Sequence, residues 1–230
     1  MASAAAFAPH QPALTALLTL EERAHVAGLR EPATATLSRA LLRLVVARQL
    51  AVPPAEVRID RRCPVCGRPH GRPRLDGAAP PLHLSVSHGG DLLVLALSAD
   101  PALGIDVEPA TRVEDVPAEL LELVLTAAER AHVPAAPAAA RHRAFLGYWT
   151  GKEAVLKALA TGLELSPQAV GLPPPGTRGP AHVTVPGGGQ PDLAVRPVDV
   201  GPAHVCTLAT GADVGAVLVQ PLSPAVLTGP

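Results

Sequence analysis

Two carboxylates alternate with apolar residues in the segment Gly-Ile-Asp-Val-Glu at residues 104–108. This period-two pattern predicts a β-strand that carries Asp106 and Glu108 on one face, roughly 7 Å apart along the backbone. Two like charges on one face repel each other unless a cation lies between them, and carboxylate oxygens are ligands that Mg²⁺ prefers. The segment therefore indicates a magnesium site, and the alternative is the solvated polar face of an ordinary strand.

A third carboxylate lies in the stretch of residues 145–163, whose apolar spacing predicts a helix. The stretch contains the only Trp of the chain, Trp149, and its only two lysines, Lys152 and Lys157. Glu153 shares a face with the Trp and precedes Lys157 by one helical turn. An exposed Glu–Lys pair, worth roughly 0.3–0.5 kcal/mol, is the alternative interpretation. Because Glu153 lies on the Trp face, we favour a carboxylate at the wall of a site.

A Ser-His pair stands at the tip of a predicted β-hairpin. Residues 82–87 alternate as a strand, a glycine turn follows, and residues 92–97 form a second apolar strand. Ser87 and His88 could suggest a nucleophile with its base, but no Gly-x-Ser-x-Gly elbow surrounds the serine. A hydroxyl and an imidazole at a glycine turn are better suited to phosphate contacts. A plain polar hairpin tip is the alternative.

A loop rich in Arg, Gly and Pro contains Cys63-x-x-Cys66 followed by His70. This spacing resembles half of a zinc site, but a structural zinc needs four ligands. Cys206 and His83 are candidates for the fourth position that no local pattern supports. The sequence therefore favours a rigid basic turn over a zinc site.

Composition excludes several classes of function. The formal net charge of −1 over 230 residues gives no reason to expect nucleic acid or an anionic membrane as a partner. No stretch approaches a membrane span, and the N-terminus lacks the basic region of a signal peptide. Three cysteines are an odd number and do not form a disulfide framework, so we expect a cytoplasmic protein in a reducing compartment.

The remaining sequence predicts elements that position these residues. Helices are predicted at residues 36–50 and 112–132, and the chain becomes β-rich beyond the helix of residues 145–163. Together, the carboxylates, the lysine and the Ser-His turn are suited to a Mg²⁺-dependent enzyme that acts on a pyrophosphate. Lysine would neutralise developing charge, and a carboxylate would take a proton from the nucleophile.

Four segments, in this order, resemble the 4′-phosphopantetheinyl transferases. They are Gly-Arg-Pro at residues 71–73, Ser-Val-Ser-His at 85–88, Gly-Ile-Asp-Val-Glu at 104–108, and Trp-Thr-Gly-Lys-Glu-Ala at 149–154 followed by Lys157. The matched motifs run from residue 71 to residue 163, and the chain length resembles the larger, monomeric class of the family.

The resemblance implies an α+β fold of two similar α/β halves in pseudo-twofold arrangement, each a small, mostly antiparallel sheet with packed helices. Residues 1–103 and 104–230 would form the two halves. The implied reaction transfers the phosphopantetheine arm of coenzyme A to a serine of an apo acyl or peptidyl carrier protein and releases adenosine 3′,5′-bisphosphate. Carriers of fatty-acid, polyketide and nonribosomal peptide synthesis are all compatible with it.

The resemblance also implies roles for the candidate residues. Mg²⁺ would be held by three carboxylates, and the catalytic group would comprise a base, a lysine and an aspartate. The assignments are Asp106, Glu108 and Glu153 for the metal; Glu153 as base, Lys157 and Asp106 for catalysis; and Arg72, Ser87, His88, Lys152 and Lys157 for coenzyme A.

Two departures from the family pattern concern conformation and charge. Ala160 stands where the family often has Gly, which is tolerable if φ there is negative. The basic residues that usually grip the 3′-phosphate near the N-terminus are not clearly matched, and Arg23, Arg30 and Arg39 are candidates. Two other functions remain open: a Mg²⁺-dependent hydrolase of nucleotide pyrophosphates, and a non-catalytic interaction module supported by zinc.

Overall fold

Helices lie in the first 50 residues of the chain and again between residues 118 and 159. In the computed structural model, the described residues are 1–63, 66–77, 81–111, 115–135, 137–188, 191–211 and 214–228. Within them the helices are α1 (Ala4–Phe7), α2 (Gln11–Ala16), α3 (Leu20–Ala27), α4 (Pro32–Leu50), α5 (Ala118–Val124), α6 (Ala127–Arg130) and α7 (Ala138–Leu159).

The strands form antiparallel sheets. They are β1 (Ala2–Ser3), β2 (Ile59–Asp60), β3 (Arg74–Leu75), β4 (His83–Gly89), β5 (Leu92–Ser98), β6 (Leu103–Pro109), β7 (Val170–Gly171), β8 (Gly179–Val183), β9 (Leu193–Pro197) and β10 (His204–Gly211). One sheet has the order β1-β5-β4, a second has the order β6-β10-β9-β8-β7, and β2 pairs with β3. The expected α+β class with mostly antiparallel sheets is confirmed.

The predicted helices differ from the observed ones at their ends. The helix expected at residues 36–50 begins earlier, at Pro32, because proline is tolerated in the first turn of a helix. The helix expected at residues 112–132 is instead the pair α5 and α6, and residues 112–114 lie outside the described residues. Thr126 caps α6 and forms a reciprocal capping box with Glu129, which begins a new helix after an extended residue.

Each large sheet packs against one long helix. Leu37 and Leu41 of α4 lie in one buried cluster with Leu93 of β5, and Val155 of α7 lies in another with Val195 of β9. Leu, Val and Ala dominate both cores, as the low aromatic content predicts. The end of the chain returns to the first of these cores, where Leu222 N donates a hydrogen bond to Met1 O at 2.7 Å.

The two sheets meet along their edge strands, β4 and β6. Ile105 N donates a hydrogen bond to Ser85 Oγ at 3.0 Å across the junction. A Cβ added to Gly89 would lie 2.5 Å from Val107 O, so a side chain at this position would push the strands apart. The junction therefore places the Ser-His hairpin beside the strand that carries the two carboxylates.

The residue that follows helix α7 adopts a strained conformation. α7 ends at Leu159, and Ala160 follows with φ +57° and ψ +25°, in the left-handed region. The condition under which alanine is tolerated at this position, a negative φ, is therefore not met. For a residue with a Cβ this conformation costs about 1–2 kcal/mol, whereas glycine adopts it without this cost.

Replacing Ala160 by Gly should raise the free energy of unfolding by about 1 kcal/mol, since relief of left-handed strain outweighs the extra freedom of Gly in the unfolded chain. The melting temperature should rise by roughly 2–4 °C. As a control, Ala140→Gly in the right-handed part of α7 should lower stability. Equal destabilisation by both replacements would contradict the strained conformation.

Within the described ranges, each helix is too short or too polar to traverse a lipid bilayer.

Candidate functional site

The carboxylate of Asp106 forms the centre of the candidate site. Asp106 is 5% exposed in β6, and its Oδ1 accepts hydrogen bonds from Ser87 Oγ at 2.7 Å and from Lys157 Nζ at 2.6 Å. Strands β4 and β6 and helix α7 thereby meet at one oxygen. Burial of a charge is costly unless it is paired, so these partners hold the carboxylate in place.

Helix α7 runs antiparallel to β6, so each acidic residue of the strand lies beside a different turn of the helix. At one end Lys157 Nζ also donates to the carbonyl of Ile105 at 3.1 Å. At the other end Trp149 Nε1 donates to Glu108 Oε1 at 3.2 Å. Both strand carboxylates therefore reach groups on α7, in agreement with the alternation read from the sequence.

Glu153 lies on α7 between Trp149 and Lys157 and is half-buried. Burial raises the pKa of its carboxyl, the charge of Asp106 raises it further, Lys157 opposes these effects, and Glu108 adds to them. Burial and the charge of Asp106 also raise the pKa of Glu108. The site thus holds three carboxylates that repel one another, and an additional cation would relieve this repulsion.

One oxygen of the Asp106 carboxylate has no hydrogen-bond partner among the described residues. Asp106 Oδ2 is buried and makes no hydrogen bond, although Oδ1 of the same carboxylate makes two. This oxygen, together with the carboxylates of Glu108 and Glu153, is a donor set of the kind that Mg²⁺ prefers. Among the described residues, the one trio of metal-type ligands within 4.8 Å of one another lies elsewhere, so these three carboxylates are not gathered so closely. The residues present nevertheless fit a divalent cation in their chemistry.

The Ser-His hairpin contributes one residue to the interior of the site and one to its rim. Ser87 is buried, and its hydroxyl proton is directed at Asp106. His88 is exposed, and its charge lowers the pKa of Glu108. Adjacent strand residues point to opposite faces, so the two side chains do not form a nucleophile–base pair with each other.

Arg72 lies at the C-terminal end of α7. Its guanidinium donates to the carbonyls of Leu84 at 3.4 Å, Ala158 at 3.2 Å and Pro101 at 3.4 Å. The last carbonyls of a helix carry partial negative charge, which favours a cation there. The residues that surround Arg72 line a pocket of about 440 Å³, among them Arg74, His83, Pro101 and Ala160.

The expected contact of Lys152 with coenzyme A is not supported by the structure. Lys152 is fully buried, and its Nζ forms a salt bridge with Glu129 Oε2 at 2.8 Å. The same ammonium donates to the carbonyls of Pro167, at 3.0 Å, and Val170. Burial lowers the pKa of Lys152, and the hydrogen bond and charge of Glu129 oppose that effect. In this structure Lys152 therefore connects α7 to α6 and to the backbone of residues 167–170.

Replacing Lys152 by Met should lower the free energy of unfolding by about 3 kcal/mol, because it leaves the Glu129 carboxylate buried without its cation. The double variant Lys152→Met/Glu129→Gln should recover part of this loss, since neither charge remains. Urea unfolding measures both effects. Unchanged stability together with weaker coenzyme A binding would restore the role expected from the sequence.

The three N-terminal arginine candidates occupy different environments. Arg23 donates to backbone carbonyls of α2, and Arg30 is exposed. Arg39 is buried and lines a second pocket, of about 410 Å³, together with Arg43 and Arg61. Of the three candidates, Arg39 lines this pocket, and its Nε makes no hydrogen bond with the described residues.

Three contributions were missed at the level of sequence. Trp149 holds Glu108, Ser85 joins the two sheets, and Glu129 neutralises Lys152. The Trp carried a signal, because it is the only one in the chain and shares a face with Glu153. The other two depend on contacts between distant segments, which no local pattern marks.

Comparison with known proteins gives one family. Residues 102–208 match the family model of the 4′-phosphopantetheinyl transferase superfamily. The match extends from the start of β6 into β10 and includes Asp106, Glu108, Glu153 and Lys157. No match was found among curated proteins.

Proposed function

We propose that this chain transfers the 4′-phosphopantetheine group of coenzyme A to a serine of an apo acyl or peptidyl carrier protein in a Mg²⁺-dependent reaction. The observation that carries the proposal is the buried Asp106 carboxylate, with Lys157 on one oxygen and no partner on the other. This cluster lies within the region that matches the transferase superfamily. The other product is adenosine 3′,5′-bisphosphate.

Asp106, Glu108 and Glu153 would hold the metal through carboxylate oxygens. When bound, Mg²⁺ supplies a positive charge that neutralises pyrophosphate oxygens. Strand β6 and helix α7 hold these three mutually repelling carboxylates on one surface. Hydrogen bonds from Ser87, Lys157 and Trp149 orient two of these carboxylates before any ligand arrives.

Lys157 is the cation of this chain best placed to contact the transferred phosphate. Its side chain is 30% exposed, so the ammonium that pairs with Asp106 also reaches solvent. A compact ammonium is suited to a single phosphate oxygen. As the bond to the bridging oxygen breaks, negative charge grows on the leaving group, and Lys157 would stabilise that charge.

Glu153 would accept the proton of the carrier serine. The serine oxygen forms a bond to the phosphorus that bears the pantetheine arm, and the bond from that phosphorus to the bridging oxygen breaks. The electron pair leaves with adenosine 3′,5′-bisphosphate, and the serine proton passes to the Glu153 carboxylate, directly or through water. Before the metal binds, burial and the charge of Asp106 raise the pKa of Glu153, so its carboxylate has a higher proton affinity than an exposed glutamate.

The pocket beside Arg72 offers a place for the nucleotide end of coenzyme A. Its volume of about 440 Å³ lies in the range of small-molecule sites. Arg72, Arg74 and His83 give it a basic lining, which complements phosphate. Arg72 contacts Ala158, the residue after Lys157, so the pocket adjoins the end of the catalytic helix. We also propose that the chain acts as a monomer.

Release of adenosine 3′,5′-bisphosphate, measured with and without a carrier protein, tests this reaction against its main alternative. The chain, coenzyme A and Mg²⁺ should release the bisphosphate only when an apo carrier with its serine is present. A carrier with Ser→Ala at that position is the matched control and should give no release. Equal release without any carrier would instead indicate a pyrophosphate hydrolase.

A further inference from the structure

The hairpin of β2 and β3 carries three metal-type ligands that the transfer reaction does not use. Cys63, Cys66 and His70 lie in the loop between these strands, with residues 64 and 65 outside the described residues. One ligand atom from each of the three residues lies within 4.8 Å of the other two. Cys66 Sγ and His70 Nε2 are 3.0 Å apart, and both cysteines are free thiols.

We propose that Cys63, Cys66 and His70 bind one Zn²⁺ ion, which clips the loop closed. Thiolate and imidazole are ligands typical of zinc, at about 2.3 Å and 2.0–2.1 Å, so neighbouring ligand atoms of a tetrahedral site lie roughly 3.5–3.8 Å apart. The observed cluster meets this requirement with only small movements of its side chains. The fold thus brings together three ligand residues in a loop that the sequence alone predicted to be a rigid basic turn.

The backbone of the loop is already shaped for the ion. Gly67 N donates to Cys63 O, and Cys63 N donates to Arg68 O, both at 2.9 Å, so the chain turns back on itself. Gly67 follows the second cysteine with φ +71°, a conformation that favours glycine. His70 is held in the returning arm, where its N donates to Arg68 O at 2.9 Å. These bonds arrange the ligands without any metal, which lowers the cost of ordering them.

A fourth protein ligand is not part of this cluster in the described residues. Cys206, considered for that position from the sequence, is buried in β10 and packs in the core with Ile105 and Val107. His83, the other candidate, lies on β4 and lines the pocket beside Arg72. The fourth position of a tetrahedral ion is therefore left for water or another small ligand.

Zinc binding in this loop would affect the position of Arg72. Gly71 N donates to Arg61 O at 2.7 Å and closes the base of the loop. A Cβ on Gly71 would lie 2.8 Å from Arg62 O, so the two arms of the loop approach closely. Arg72 follows at once and contacts the end of α7. Zn²⁺ would thus position Arg72, and loss of Zn²⁺ should raise the KM for coenzyme A more than it lowers kcat, a consequence that rests on the proposed function.

Metal binding by the full chain tests the site without reference to activity. Reduced protein, stripped with a chelator and then given Zn²⁺, should retain one ion per chain after gel filtration, as measured by elemental mass spectrometry. Cys63→Ser and Cys66→Ser should lower Zn²⁺ affinity by more than ~100-fold, beyond the ~10–100-fold typical of losing a group that only supports a ligand. Cys206→Ala is the matched control and should bind Zn²⁺ as the unchanged chain does.

Co²⁺ provides a spectroscopic readout. The chain loaded with Co²⁺ in place of Zn²⁺ should show thiolate-to-metal charge-transfer absorption and the intense visible bands of a tetrahedral ion. The Cys63→Ser variant should show weaker charge-transfer absorption. If the cysteine variants do not fold, maleimide labelling of the unchanged chain replaces them, and Zn²⁺ should protect Cys63 and Cys66. Absence of retained metal, metal that persists in Cys63→Ser, or labelling indifferent to Zn²⁺ would overturn the proposal, whether or not the chain is a transferase.

Discussion

Replacing Glu153 by Gln should reduce kcat for transfer by roughly 10²–10⁴-fold, the range expected when a general base is removed. Glutamine keeps the size and polarity of the side chain but cannot accept the serine proton. Coenzyme A binding should change much less than kcat, because Lys157, Asp106 and the basic pocket remain. Single-turnover kinetics with an apo carrier and calorimetric titration with coenzyme A measure the two quantities separately.

The pH dependence of the unchanged chain provides an internal check on this assignment. Burial and Asp106 raise the pKa of Glu153 in the metal-free chain, so the carboxylate that would bind Mg²⁺ is protonated as pH falls through a value above that of an ordinary glutamate. Protons therefore compete with Mg²⁺, and transfer at limiting Mg²⁺ should decline on the acidic side at a higher pH than an exposed glutamate would produce. Glu164→Gln, at an exposed position just after α7, is the matched control and should transfer at the normal rate. A normal rate in Glu153→Gln itself would remove this residue from the mechanism.

Replacing Gly104 by Ala should lower the free energy of unfolding by more than about 4 kcal/mol, a loss that marks a severe steric conflict. A Cβ at this position would lie 1.8 Å from Ala154 O and 2.7 Å from Ala158 N. Both are backbone atoms of α7, so no side-chain rotation can relieve the overlap. The helix would have to move away from β6, and Lys157 would separate from Asp106. Denaturant unfolding and the yield of folded protein measure the effect.

Gly215→Ala is the matched control for this prediction. Among the described residues, and apart from its two chain neighbours, no atom lies within 4 Å of a Cβ at Gly215, and its φ is outside the left-handed region. The same chemical change there should leave stability within about 0.5 kcal/mol, as is usual for surface replacements. If Gly104→Ala were as stable as Gly215→Ala, the close approach of β6 and α7 would be wrong.

Local periodicity predicted the parts of the site that depend on one element. The alternation at residues 104–108 predicted that Asp106 and Glu108 share a face, and helical spacing predicted that Glu153 and Lys157 are neighbours. The structure agrees with both patterns. Neither pattern could predict contacts between elements. The partner of Lys157, for example, is Asp106 on β6, more than 50 residues earlier in the chain.

The assignment of Lys152 to coenzyme A followed from the family resemblance and not from helical geometry. Lys152 and Lys157 are the only lysines of the chain. Five residues correspond to about 140° around a helix, so the two side chains point in different directions. One faces the carboxylate site, and the other is buried against Glu129. Helical geometry alone could have separated their roles, although it could not have named the partner of Lys152.

The cysteine loop and Ala160 illustrate a second limit. Whether Cys63, Cys66 and His70 converge depends on how the intervening backbone turns, which their spacing alone did not decide. The sign of φ at Ala160 likewise depends on how α7 ends, and an alanine gives no local signal for a left-handed residue. In both cases the sequence named the residues, and the fold determined their geometry.

The intact mass of an apo carrier protein, incubated with the chain, coenzyme A and Mg²⁺, is the direct test of the proposed transfer. We predict a gain of one phosphopantetheine group on the carrier serine, lost with EDTA and restored by excess Mg²⁺ but not by Zn²⁺ alone. That comparison separates the metal at Asp106 from the metal at the cysteine loop. A panel of fatty-acid, polyketide and peptide carriers that gains no mass, although coenzyme A binds, would contradict the proposed transfer.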